Sequence, residues 1–318
     1  MSSFALYAPY SLKPKQHSEG RLQITSPNEL CIYFTNKSFP ESAKRTINFI
    51  NTLSDITLKQ GGKVHIDFSD LNSLTASASV LLFAEITRIQ LVTDIVDVIT
   101  FTWPLDEDFT KLLKTTGLYK AIIPGTHRKI VKLFDDDHPY QSGIDPNKFL
   151  ISTLLSLHKN GLELSKPEAK VISKGIQEAM LNVIHHAYFD FEDQQAGIGS
   201  RWWQLSHCNT VKKVVTFIIY DKGASIPTTI SDLLKTPCTD ADAIEYAFTK
   251  GITRLLGTTR GKGSQDIKDA AKVKDSSTLL VMSGKGVYLL DNNNGSKIKS
   301  ELPYAINGTM IEWSIPYE

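Results

Sequence analysis

Short apolar runs separated by longer stretches with helical spacing dominate the first part of the chain. ELCIYF (Glu29 to Phe34) reads as a strand, and PESAKRTINFINTLS, with Pro40 and Glu41 near its start, reads as the helix that follows. KVHIDF (Lys63 to Phe68) is a second strand, followed by TASASVLLFAEITRIQL, a largely apolar helix. VDVITF (Val96 to Phe101) is a third strand, and LDEDFTKLLKTTG is a helix closed by Gly117. Strands alternating with helices predict an α/β layer with much parallel pairing.

Between about Ile123 and Asn147 the pattern lapses. PGTHRKIVKLFDDDHPYQSGIDPNK is rich in proline, glycine and aspartate, and reads as a connection in which Asp135–Asp137 form a solvated loop. Beyond it the order changes. A helix covers Lys148 to Lys159, and a longer one opens at SKPE, where Ser165 and Glu168 fit a capping box and Pro167 sits in the first turn. GIGSRWWQLSHCNTVKKVVTFIIYDKG then reads as two strands joined by a polar turn near Asn209, with one of Trp202 and Trp203 facing inward and the other outward. TLLVMSGKGVYLLDN and GTMIEWSIP are the closing strands. The expected organisation is an α/β domain over residues 1–125, a linker over 126–147 and a second α/β domain over 148–318.

Composition narrows the partners. The 318 residues carry a formal net charge of +1, so nucleic acid is not an implied partner. Cys31, Cys208 and Cys238 are widely spaced and form no CxxC, which suggests neither a disulfide framework nor a zinc site. No apolar run is long enough to span a bilayer, and the N-terminus MSSFALYAPYSLKPK lacks a sustained apolar stretch. A cytoplasmic protein without membrane contact is the expectation.

The candidate chemistry lies in the second half. GIQEAMLNVIHHAYFD (Gly175 to Asp190) places Glu178 and Asn182 four residues apart on one helix face, with His185 and His186 a turn later. IIYDKGASIP ends an apolar strand in Asp221, followed by Gly223, Ser225, Ile226 and Pro227. A carboxylate there can accept from an amino group, and the glycine lets backbone approach a ligand closely. FTKGITRLLGTTRGKGSQDIKDA runs through Gly251, Gly257, Gly261 and Gly263 into a helix, with Arg260 and Lys262 adding positive charge, a pattern suited to an anion. NGTMIEW puts Gly308 and Thr309 at the start of the last strand. Each stretch alone has an ordinary reading: satisfied histidines, a commonplace Asp-x-Gly, a glycine turn. Their order and spacing together are more specific.

That order resembles the GHKL ATPase family of gyrase, heat-shock-ninety chaperones, histidine kinases and MutL proteins. EAMLNVIHHAY is similar to its asparagine box, DKGASIP to its aspartate–glycine box and GTTRGKGSQDI to its glycine-rich lid box. The resemblance covers roughly residues 145 to 318, and within the family it is closest to bacterial anti-sigma serine kinases, whose helix carries a similar glutamate, asparagine, histidine and tyrosine pattern. It implies ATP and Mg²⁺ as cofactors and a Bergerat α/β sandwich. Glu178 would be the general base and Asn182 a magnesium ligand, with His186 on the same helix. Asp221 would hold the adenine amino group, flanked by Gly223, Ser225 and Ile226. Arg260, Gly261, Lys262, Gly263 and Ser264 would wrap the phosphates, and Thr309 would support the adenine side. Two departures bear on the lid and its neighbour. Ser264 and Gln265 stand where the family has a glycine–leucine pair, and Ser225 stands where many members have a second glycine. The remaining histidines lie in no acid-flanked helical box, which argues against a sensor histidine kinase.

KVHIDFSDLNSLTASASVLLFAEI resembles the STAS domain of anti-sigma antagonists. On that likeness Ser77 takes the place of their phosphate-accepting serine, although Thr75 replaces the usual aspartate and Ala78 the usual glycine. The expectation is a Mg-ATP-binding regulatory protein that hydrolyses ATP slowly or phosphorylates a serine or threonine of a protein partner, itself STAS-like or another regulator. The rival is a non-catalytic switch in which ATP sets a protein interface. A homodimer is compatible with either.

Overall fold

The computed structural model describes residues 15–17, 20–33, 39–159, 161–188, 198–234, 236–250 and 263–317. The chain is mixed α/β and divides into two units, Met1–Lys129 and Ile130–Glu318.

The first unit contains β1 (Lys15–Gln16), β2 (Leu22–Thr25), β3 (Glu29–Leu30), α1 (Phe39–Ser54), β4 (Val64–Asp67), β5 (Ser73–Leu74), α2 (Ala76–Thr93), β6 (Ile99–Thr102), α3 (Glu107–Thr115) and α4 (Leu118–Ile122). Its main sheet has the order β1-β2-β4-β6, with β2, β4 and β6 parallel and β1 antiparallel to β2. The parallel pairing expected from alternation is present, but its first strand is Leu22–Thr25. ELCIYF contributes only the short β3, which pairs with β5 in a separate two-stranded sheet. LQIT carries too few residues to show a period, so the parallel neighbour β4 defines it as a strand more than its own sequence does.

Helix α2 is buried along nearly its whole length, from Ser77 to Leu91. That explains why it lacks a polar stripe: a helix enclosed on all sides is apolar on all sides. It is also the described helix long and apolar enough to cross a membrane, and 78% of its apolar window is buried inside this fold. Ser77 lies within it and is fully buried, with its hydroxyl on the Tyr33 hydroxyl at 3.0 Å. In this conformation the serine singled out as a phosphate acceptor is closed to a partner kinase.

The second unit begins within α5 (His127–Asp135) and continues through β7 (Tyr140–Gly143), α6 (Pro146–Lys159), α7 (Lys166–Asn182), β8 (Trp202–Asn209), β9 (Val214–Asp221), α8 (Ile226–Ile230), α9 (Asp240–Lys250), α10 (Gly263–Ala270), β10 (Thr278–Asp291) and β11 (Ser296–Pro316). The segment expected as a linker therefore carries a helix and a strand. β7 is the edge of an antiparallel sheet in the order β10-β11-β9-β8-β7, and Tyr140 through Gly143 are all buried. Several of the residues that suggest a connection lie inside these short elements: Asp135 ends α5, Gly143 ends β7 and Pro146 opens α6.

One face of this sheet packs on α7 and α10. Ile172, Ile176 and Met180 of α7 share a core with Phe217 and Ile219 of β9, Val281 of β10 and Trp313 of β11. Each such side chain contributes roughly 1.5–3 kcal/mol by leaving water. Trp202 and Trp203 are both fully buried, so the expectation that one would face outward is corrected: β8 is enclosed on both faces at that point.

Candidate functional site

The capping box expected at Ser165 is formed, with the Ser165 backbone N–H donating to Glu168 Oε2 at 2.7 Å, and it starts α7 in the register that sets everything after it. Lys274 also pairs with Glu168 at 2.9 Å, and the Ser165 and Lys274 donors together hold that carboxyl down at about 2. Glu178 and Asn182 follow on α7, both half-buried. The helix then widens into a π turn, Val183–Ala187. Such a turn inserts an extra residue and changes the direction in which later side chains leave the axis. Of the histidine pair, His186 is half-buried and His185 exposed, so the two do not extend one common face.

The π turn delivers the Ala187 carbonyl to the loop after β9. Ala224 N donates to it at 2.5 Å, and a Cβ at Gly223 would lie 2.0 Å from the same oxygen. Only glycine fits there. Lys222 N donates to the Tyr188 hydroxyl at 3.0 Å, which in turn donates to the Arg201 carbonyl at 2.6 Å. The helix with Glu178 and Asn182 is thus fastened at its end to the strand that carries Asp221.

Asp221 is 5% exposed. Burial pushes its carboxyl up to about 7, against the opposing pull of N–H donors from Gly223, at 2.9 Å, and Thr309. From β11 the chain comes equally close: a Cβ at Gly308, where φ is +89°, would lie 2.1 Å from the Asp221 carbonyl oxygen and 2.7 Å from Oδ1. Asp221 is thus a buried carboxyl with donors from backbone N–H groups and the Gly308 backbone close against it.

Ser225 caps α8, accepting from Thr228 N at 3.3 Å, and Ile226 is the first residue of that helix. Ile226 N donates to Ser283 Oγ at 2.7 Å. Ser283 also lies 2.8 Å from Thr309 Oγ1 and 3.2 Å from the Gly308 carbonyl. Sequence reasoning missed Ser283; its signal is a lone hydroxyl interrupting the apolar run of β10.

Helix α10 crosses α7 closely because of Gly175, whose Cβ would lie 2.6 Å from Ala270 Cβ and 2.9 Å from the Asp266 carbonyl. The crossing sets the first residue of α10 on Glu178: a Cβ at Gly263 would lie 2.6 Å from Glu178 Oε2. Beside it the Ser264 hydroxyl is buried with no hydrogen-bond partner. Arg260, Gly261 and Lys262 lie outside the described residues.

The elements so assembled bring Glu178 to Gly263 and Ser264, and Asp221 to Gly223 and Thr309, on a common helix–sheet frame. No family model matches the chain, and no curated protein matches it. The functional reading therefore rests on the site itself.

The residues fit the groups implied by the sequence. An orphaned buried hydroxyl at the start of a helix suits a phosphate oxygen, since buried polar groups otherwise find partners. No cluster of three or more His, Cys, Asp or Glu occurs among the described residues. Half-buried Asn182 is the residue on α7 whose side-chain oxygen could serve as a magnesium ligand.

Proposed function

We propose that residues 130–318 form a GHKL-type ATP-binding unit, joined to a STAS-like unit, and that the protein binds Mg-ATP to act on a regulatory partner. The observation that carries this reading is Asp221. A carboxyl pushed up to about 7 by burial is costly to retain in a fold. Two glycines whose side-chain space is filled by neighbouring backbone hold the structure around it. In its ionised form this buried carboxyl can accept from a ligand N–H.

In this reading Asp221 accepts from the adenine amino group, and the hydroxyl of Ser264 and the first turn of α10 receive phosphate oxygens. Asn182 would be the residue that holds the magnesium ion. Mg-ATP supplies the transferable phosphoryl group when bound. Glu178 accepts the proton of the attacking hydroxyl, from water or from a serine or threonine of a protein partner. Phosphoryl transfer depends on positioning and on neutralising charge more than on covalent help from the protein, which suits this residue set.

The contact between Gly263 and Glu178 favours a second reading alongside, a nucleotide-operated switch. Half-buried Glu178 has one carboxylate oxygen against the first residue of α10, so a nucleotide that moves that helix would change what the carboxylate meets. Glu178→Gln separates the two. It should leave ATP affinity within a few-fold of wild type and slow phosphate release or transfer at least tenfold, within the 10²–10⁴ typical of a general base. Equal turnover in both proteins would remove Glu178 as the base, and turnover in neither, with or without partners, would leave the switch.

A further inference from the structure

We propose that Arg201 forms a binding site for an oxyanion, the carboxylate or phosphate group of a ligand, at the start of β8. Arg201 is none of the residues assigned to nucleotide above, and the inference does not rest on that assignment.

Arg201 immediately precedes β8 and is 7% exposed. A guanidinium carries five N–H donors and no acceptor. Nε donates to the Ile198 carbonyl at 3.2 Å, and Nη1 donates to Ser142, whose Oγ lies at 3.2 Å and whose carbonyl lies at 3.5 Å. The Ser142 hydroxyl is itself oriented, because it donates to the Trp202 carbonyl at 2.8 Å and so turns a lone pair toward Nη1. The Arg201 backbone is held as well, its carbonyl accepting from the Tyr188 hydroxyl at 2.6 Å. With the guanidinium plane fixed in this way, the two N–H groups of Nη2 have no acceptor among the described residues. Nη2 is not one of the enclosed side-chain atoms that lack a partner, so this edge of the group reaches the surface.

The positive charge is also left without a counter-charge. The groups that accept from Arg201 are neutral oxygens, and no described carboxylate pairs with it. Burial pulls the guanidinium below its ordinary value, with Tyr188 acting the other way. Arg21, the other arginine as deeply buried among the described residues, has Asp97 against its guanidinium. A cation taken out of water is costly unless an anion meets it. Arg201 therefore combines a desolvated charge, a fixed plane and an open donor edge. Those are the requirements for charge-assisted bonds to a carboxylate or phosphate oxygen.

The test follows the Arg201 Nε–Hε signal by nitrogen-15 NMR on the full chain, assigned through the side chain's own carbon couplings. Sodium phosphate, sodium formate and sodium chloride are titrated at matched ionic strength and neutral pH. Phosphate or formate should move the signal along a saturating curve that chloride does not reproduce, and the anion with the lower midpoint names the group the site takes. Arg201→Lys keeps the charge but not the planar donor edge. Followed through the Trp202 backbone amide, it should need about tenfold more of that anion, the loss expected for a charge-assisted hydrogen bond. If this variant does not fold, the wild-type signal alone decides. No shift, a shift that does not saturate, or the same shift in chloride would show an adventitious ion only and overturn the proposal. An equal midpoint in the lysine variant would overturn it too.

Discussion

Asp221 couples function to stability with a definite sign. Its carboxyl titrates near 7 in the folded chain against 3.8 for an ordinary aspartate, so between those values the unfolded chain is ionised while the folded one is still protonated. Folding stability falls as pH rises through that window, by on the order of 4 kcal/mol in total. Below about pH 4 the effect is absent. Asp221→Asn removes the ionisation, and the melting temperature of the variant relative to wild type should rise steadily between pH 4 and pH 7. A difference independent of pH would show that Asp221 is not buried as described. Gly308 has the opposite character, since its φ of +89° and the Asp221 carbonyl oxygen, 2.1 Å from where a Cβ would stand, both exclude a side chain. Gly308→Ala should destabilise by about 3 kcal/mol or more, measured by denaturant unfolding at constant m-value.

The crossing of α7 and α10 is the contact on which the placement of Glu178 depends. Gly175→Ala inserts a methyl 2.6 Å from Ala270 Cβ, and forced overpacking of this kind costs roughly 1–3 kcal/mol. Because the wedge lifts α10 from Glu178, the variant should lose affinity for ATP by more than its loss of stability alone accounts for. Calorimetry at a temperature where both proteins are folded checks this. Much of that crossing is legible in the sequence: the capping box at Ser165, the i, i+4 pair Glu178 and Asn182, and the helix beginning at Gly263 all follow from local chemistry. The π turn at Val183–Ala187 is not, because nothing in the periodicity of one helix reveals an inserted residue. Nor is β7, a short buried strand whose sequence YQSG has no apolar alternation and whose partner, β8, lies 60 residues away at Trp202. Ser283 escapes for a similar reason: its partners, Ile226 and Thr309, meet only through the sheet. The Asp221–Gly223 stretch is visible as residue types, but its close approaches to Ala187 and to Gly308 require the fold.

Two separable units predict that activity follows the boundary the structure draws. A fragment of residues 130–318 keeps β7, with Ser142 Oγ donating to the Trp202 carbonyl at 2.8 Å and Arg201 Nη1 donating to Ser142 Oγ at 3.2 Å. A fragment beginning at residue 148 loses that strand and exposes the edge of β8. The longer fragment should unfold cooperatively and bind Mg-ATP, whereas the shorter one should aggregate or melt at markedly lower temperature; equal behaviour of the two would return residues 130–147 to the status of a linker. The most direct test of the central claim is titration of Mg-ATP into the full-length chain and its Asp221→Asn variant by calorimetry at pH 8. A lost charge-assisted hydrogen bond is worth roughly 1.5–3 kcal/mol, so wild type should bind with one site and the variant at least tenfold more weakly. No binding by wild type, or equal affinity in both proteins, would contradict it.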